Sequence, residues 1–286
     1  MKHQGTYFMK KTLIAFTVAV SALSGTAQAW TSGDFKGSFD INGTIIAESA
    51  NNKWEWMVGE GLFFEKNSKE MTEGNTKLTI TQATPAPILL GRTKEAFAAR
   101  SVGVGAIPLI SFSDYDGQLV SLQSSGTNKG YFELPMKDDE GNKLGNVKVN
   151  VTSVGLLSKT DMSDTGFVLM HSLASYDNSH IYYGGLPGPS VHLASTASSI
   201  IGKFTDNNHT ALFEQIKKVR PEATLRGQND QGWVLSSNMV DTTGEVMASS
   251  YALGIDQGQT IEATFTDPVV KTTQWSAPLN VAVTYN

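Results

Sequence analysis

The chain has 286 residues, a formal net charge of −5, no cysteine and only five histidines. The acidic balance argues against nucleic acid, whose affinity rests on neutralising phosphates with Lys and Arg. It argues equally against anionic membrane surfaces. With no thiol and few imidazoles, thiolate and histidine-cluster metal sites are excluded or unsupported, so packing and backbone pairing must hold the fold.

The chain opens with a basic stretch, MKHQGTYFMKK. An apolar run, LIAFTVAVSAL, follows, and then a small-x-small site at Ala27-Gln28-Ala29. This layout predicts a signal peptide over 1–29, cleaved before Trp30, and hence export. The apolar run is too short for a bilayer span. Translation from Met1 and from Met9 both fit that layout. Removing 1–29 with its three lysines takes the net charge from −5 to −8.

Residues 31–47, TSGDFKGSFDINGTIIA, alternate from Asp34 to Ile45. Phe35, Gly37, Phe39, Ile41, Gly43 and Ile45 fall on one side and polar residues on the other. That is the pattern of a half-buried strand, yet no tight hairpin turn leads from it to a neighbour.

Short strand-like runs follow: WEWMV (54–58), TKLTIT (76–81), PILLG (87–91), IPLISFS (107–113) and QLVSLQ (118–123). YFELPM (131–136) and NVKVNVTSVGLL (146–157) flank KDDEGNKLG, a connection suited to a hairpin. Late strands are predicted at GWVLSS (232–237), SSYALGI (249–255), QTIEATF (259–265) and WSAPLNVAVTYN (275–286). Many short strands at this spacing predict an all-β sandwich.

One section breaks that rhythm. HTALFEQIKKVRP (209–221) carries Leu212, Ile216 and Val219 at helical spacing, with Asp206, Asn207 and Asn208 as capping candidates and Pro221 as a stop. Residues from about 155 to 230 therefore read as a subdomain with short helices, inserted into the sandwich.

Enzymatic signals are poor. His171, His180, His192 and His209 form no metal spacing, and no nucleophile elbow is present. Asp114-Tyr-Asp-Gly117 and Asp138-Asp-Glu-Gly141 lack calcium-loop spacing and read as turns. No cofactor, metal or catalytic residue is expected. The most ligand-like segment is SYDNSHIYYGG (175–185). Tyr176, Tyr182 and Tyr183 offer flat faces, while Asp177, Asn178 and His180 offer hydrogen-bonding groups. That mixture suits a sugar, with its apolar C–H face and its ring of hydroxyls. A tyrosine-rich strand packing inward is the plainer alternative.

The last run alternates as cleanly as the first, with Leu279, Val281, Val283 and Tyr285 on one face. The two terminal strands can pair with each other. Alternatively, the C-terminal strand borders a groove that the N-terminal strand of a neighbouring subunit fills, with main-chain bonds along it and alternate side chains in pockets. Such head-to-tail contacts build a fibre.

Long strings carry a resemblance to a known family: KWEWMVGEGL (53–62), TKLTIT (76–81), PILLGRTKEAFA (87–98), YFELPMKDDEGNKLGNVKVN (131–150), YALGIDQGQTIEATF (251–265) and TQWSAPLNVAVTY (273–285). The chain resembles the FaeG-type major fimbrial subunits of enterotoxigenic Escherichia coli. The resemblance implies an immunoglobulin-like sandwich lacking its last strand, with 30–47 as donor strand and 48–286 as pilin domain. It implies self-assembly by donor-strand exchange through a periplasmic chaperone and an outer-membrane usher. Tyr285 matches the penultimate tyrosine that the chaperone pairs with. It further implies a cell-surface fimbrium that binds host intestinal glycoproteins or glycolipids. The likeness weakens from about 158 to 250, where the family carries receptor binding, and only YGGL (183–186) aligns easily there. A purely structural pilin, with adhesion on another subunit, is the alternative.

Overall fold

The computed structural model describes residues 50–161, 166–226 and 234–286. The expected signal peptide (1–29) and the expected donor strand (30–47), with Phe35, Gly37, Phe39, Ile41, Gly43 and Ile45, lie outside the described residues. In chain order the elements are β1 (Trp54–Val58), β2 (Lys77–Thr81), β3 (Ala86–Thr93), β4 (Pro108–Ser113), β5 (Gln123–Gly126), β6 (Lys129–Lys137), β7 (Lys143–Asp161) and β8 (Phe167–Leu173). Then come α1 (Ala194–Ile201), α2 (His209–Val219), β9 (Thr224–Leu225), β10 (Val234–Leu235), β11 (Met247–Ile255), β12 (Thr260–Phe265) and β13 (Asn280–Tyr285). The chain is all-β with short helices, as its patterning predicts.

β1, β3, β11 and β7 are successive antiparallel neighbours. β4 and β13 form a separate antiparallel pair. This is the strand order of an immunoglobulin-type sandwich, a four-stranded ABED sheet facing C and F of the second sheet. No described strand occupies the position beside β13 where the seventh strand of that fold lies. The two sheets share one core, in which Ile110 and Phe112 of β4 pack with Leu89, Phe132, Tyr251 and Leu253. The Phe112 and Phe132 rings meet at 4.7 Å.

β7 is the spine. One of its edges pairs with β6 and then β8, and the other with β12 and then β11. The β6–β7 turn forms because the Asp138 carboxylate accepts the amides of Glu140 at 3.0 Å and Asn142 at 2.8 Å. Early in β7 burial is uneven, but Val151 to Ser158 are buried without a break. Both faces are covered there, because the helices lie on the outer side. Ala194, Ala197, Ser198 and Ile201 line the inner stripe of α1. Leu212 and Ile216 do so for α2, whose first turn is capped by Asn208 accepting from the Thr210 amide at 3.0 Å. The apolar side chains among these join Val154, Leu156, Ala248 and Ala252 in a second apolar cluster.

Candidate functional site

The first candidate surface is the outer edge of β13. Asn286 and Ile107 exchange backbone bonds, N to O at 3.0 and 3.3 Å. The antiparallel register then makes every second residue of β13 bond to β4. Val281, Val283 and Tyr285 are the residues between, so their N–H and C=O groups face the other edge, which no described strand pairs. Their side chains point at the main core, as does Leu279, yet all four are only half-buried, and the residues between them are exposed. A strand over a closed core would bury that face. Tyr285 is anchored at the rim, where its hydroxyl accepts from Trp56 Nε1 at 2.8 Å and so links β13 to β1. Burial pushes its phenol pKa up, partly offset by the bond from Trp56.

The second candidate is the segment 175–185, which runs beside β4 on the edge opposite β13. The Ile110 amide donates to the Tyr183 carbonyl and the Tyr182 amide to the Pro108 carbonyl, each at 2.8 Å. The predicted set divides here. Tyr176 is 75% exposed, Tyr183 is 43% exposed, and Asp177 and Asn178 are exposed. Asp177 accepts the Ser179 hydroxyl and amide, which hold its carboxyl below the usual carboxylate range. His180 is half-buried, its ring edge-on to Tyr176 at 6.2 Å. Its Nδ1 lies 3.4 Å from Asp177 Oδ1, near enough for an ion pair when protonated but not aligned as a hydrogen bond.

Tyr182 is a correction to the sugar-facing set. It is fully buried, and its hydroxyl pairs with the Ser249 hydroxyl at 2.8 Å. Trp54, Trp56 and Tyr251 surround its ring at 5.7, 6.1 and 5.0 Å between centroids. No face is left for a ligand, and Tyr182 belongs to the core. Gly184 and Gly185 explain why the chain can turn it inward. A Cβ on Gly184, at φ +85°, would sit 2.0 Å from the Ile110 carbonyl oxygen. One on Gly185 would sit 2.6 Å from the Tyr251 hydroxyl, which donates to the Gly185 carbonyl at 2.8 Å. The glycine pair of YGGL is thus a packing signature, and its place after Tyr182-Tyr183 was the signal of close backbone approach.

Sequence reasoning missed a third feature, a cleft of about 560 Å³ between β1, β3 and the loop joining the two helices. Its walls include Glu55, Arg92 and Asn207, residues far apart in the sequence.

Among the described residues no group of three or more His, Cys, Asp or Glu is arranged to hold a metal. Comparison with known proteins gives the context for these surfaces. A family model described as "Fimbrial, major and minor subunit", for K88-type fimbriae, matches residues 9–286. The chain is 47% identical to K88 fimbrial protein AC of Escherichia coli over 97% of its own length and all of that protein's. It is 46% identical to K88 fimbrial protein AB at the same coverage. F41 fimbrial protein of Escherichia coli is a more distant relative, 26% identical over the same shares. The chain belongs to this family of fimbrial subunits, as its strings imply, and it is not an enzyme.

Proposed function

We propose that this fimbrial subunit is the major subunit of its fibre and polymerises by donor-strand exchange. Residues 30–47 of one copy lie along the outer edge of β13 in the next. The observation that carries this reading is that edge, with three residues whose backbone groups face away from β4 and whose apolar side chains are half-buried. An incoming strand supplies both missing partners, main-chain bonds for the edge and alternate side chains for the core. Phe35, Phe39, Ile41 and Ile45 are the side chains for that role, and Gly37 and Gly43 suit narrow positions. Before assembly a periplasmic chaperone covers the same edge, including Leu279, Val281, Val283 and Tyr285, and an outer-membrane usher exchanges it for the next subunit. Export begins with cleavage of 1–29. Residues 48–286 form the pilin domain, with the helical insertion at about 155–230.

The subunit is also the adhesin in this reading. The exposed part of the 175–185 segment (Tyr176, Asp177, Asn178 and Tyr183, with His180 behind) supplies a stacking face and polar groups for a host glycan. Deleting residues 30–47 tests the polymer reading. The expected result is a soluble, chaperone-bound subunit and no fibres, and wild-type fibres from that deletion overturn it.

A further inference from the structure

The cleft beside β1 has features that fibre assembly does not use. In the β1–β3 register Glu55 stands opposite Arg92 and Met57 opposite Leu90. Arg92 Nε donates to Glu55 at 2.9 Å, and its Nη1 donates across the cleft to Asn207 Oδ1 at 2.9 Å. The two walls, one from the sandwich edge and one from the loop between α1 and α2, are thereby joined. That loop is itself braced. Asn207 Nδ2 donates to the Thr205 hydroxyl at 2.8 Å, the Asn208 amide to the Asp206 carbonyl at 2.8 Å, and Lys203 pairs with Asp256. The cleft is preformed, so a ligand entering it need not order the loop. Its volume lies within the range of small-molecule sites.

The lining selects the ligand's chemistry. The lining holds two cations, Arg92 and Lys94, and two anions, Glu55 and Asp206, so the site carries no formal net charge. Lys94 makes no ion pair among the described residues, and Arg92 Nη2 and Glu55 Oε1 make no protein hydrogen bond among them. Donors and acceptors thus both remain open in the lining. Met57, 57% exposed, adds an apolar surface beside them. A compact neutral molecule with many hydroxyls and one apolar face fits such a lining, whereas a charged ligand meets its like charge on one wall.

We propose that this cleft is a binding site for a neutral saccharide, separate from the Tyr176–Tyr183 surface. The proposal rests on the adhesin reading above and assigns that reading a second place on the molecule. The test uses purified fimbriae on an array of neutral galactose-, glucose- and N-acetylhexosamine-terminated oligosaccharides, beside sialylated and sulfated ones. Wild type is compared with Asp206→Ala, Met57→Ser and, at the other surface, Tyr176→Ala. The variants' unfolding temperatures report that folding is intact. The expected result is binding to neutral glycans that falls at least about tenfold with Asp206→Ala, as for loss of a hydrogen bond to a charged group. Met57→Ser is expected to weaken the same glycans, and both cleft losses are expected to persist when measured in a Tyr176→Ala background. Neutral-glycan binding that survives both cleft variants but is lost with Tyr176→Ala overturns the cleft and keeps the adhesin reading. Binding confined to acidic glycans overturns the choice of ligand. Binding to nothing on the array, by folded fimbriae, overturns the adhesin reading and this proposal together.

Discussion

β11 and β13 carry similar residues and meet opposite fates. All nine residues of β11 are buried, because β3 and β7 pair its two edges, the main core covers one face and the helices cover the other. β13 has one described neighbour, and its inward residues stop at half-burial. Each holds a tyrosine facing the main core. Tyr251 is sealed with its hydroxyl on Gly185, and Tyr285 sits at the rim with its hydroxyl on Trp56. The contrast separates a strand whose burial is complete within one subunit from one whose inward face stays half-covered there. Apolar surface left half-covered is hydrophobic free energy not yet realised, at roughly 25 cal/mol per Å².

The largest expected effect breaks the sealed side. Tyr251→Ala removes a large buried ring and its bond to Gly185, and is expected to lower subunit stability by about 3–5 kcal/mol, read by denaturant unfolding. Next is Gly184→Ala, which puts a Cβ against the Ile110 carbonyl at a positive φ. Its expected cost is about 1–3 kcal/mol, with the 175–185 segment pushed off β4 and exchanging amide hydrogens faster. Val283→Ser, on the open side, is expected to cost the isolated subunit only about 1 kcal/mol. The same change is expected to weaken assembled fibres far more, read as dissociation in denaturant. Equal losses in subunit and fibre would remove the distinction between the two strands.

Where one face is solvent and the other core, the sequence was legible. Lys77–Thr81, Lys129–Lys137 and Thr260–Phe265 alternate and are strands. The α2 cap and stripe were equally plain, although Val219 is exposed where Leu212 and Ile216 are buried. Prediction failed where tertiary cover overrides the local pattern. QLVSLQ reads as a strand, but Leu119 is 84% exposed and only Gln123 belongs to β5. GWVLSS yields only Val234–Leu235 among the described residues. β8 was missed because its burial does not follow its polarity, with Ser172 buried and Leu169 half-exposed. Tyr182 was misplaced because a tyrosine has an apolar body and a polar tip, and the Ser249 hydroxyl that satisfies the tip is 67 residues away. The cleft could not be foreseen, since Glu55, Arg92 and Asn207 meet only after folding.

The smallest effect is the sharpest probe of the contrast. Burial pushes the Tyr251 phenol well above its ordinary value of 10.0, and it pushes the Tyr285 phenol upward as well. A raised folded pKa means the folded subunit holds a proton that the unfolded chain has released. The contribution to stability is therefore complete below the unfolded value near pH 10 and is lost as pH rises from there through the folded pKa. At the half-exposed rim Tyr285 can ionise without the sandwich opening, whereas at Tyr251 phenolate formation must wait for unfolding. Subtracting an alkaline titration of Tyr285→Phe from that of the isolated wild-type subunit should therefore leave an early phenolate step, before the later step that coincides with loss of near-ultraviolet circular dichroism. If donor-strand exchange builds the fibre as proposed, an incoming strand covers Tyr285, and its step should move toward the later one. An early step that stays in place in the fibre would mean that assembly leaves this edge open.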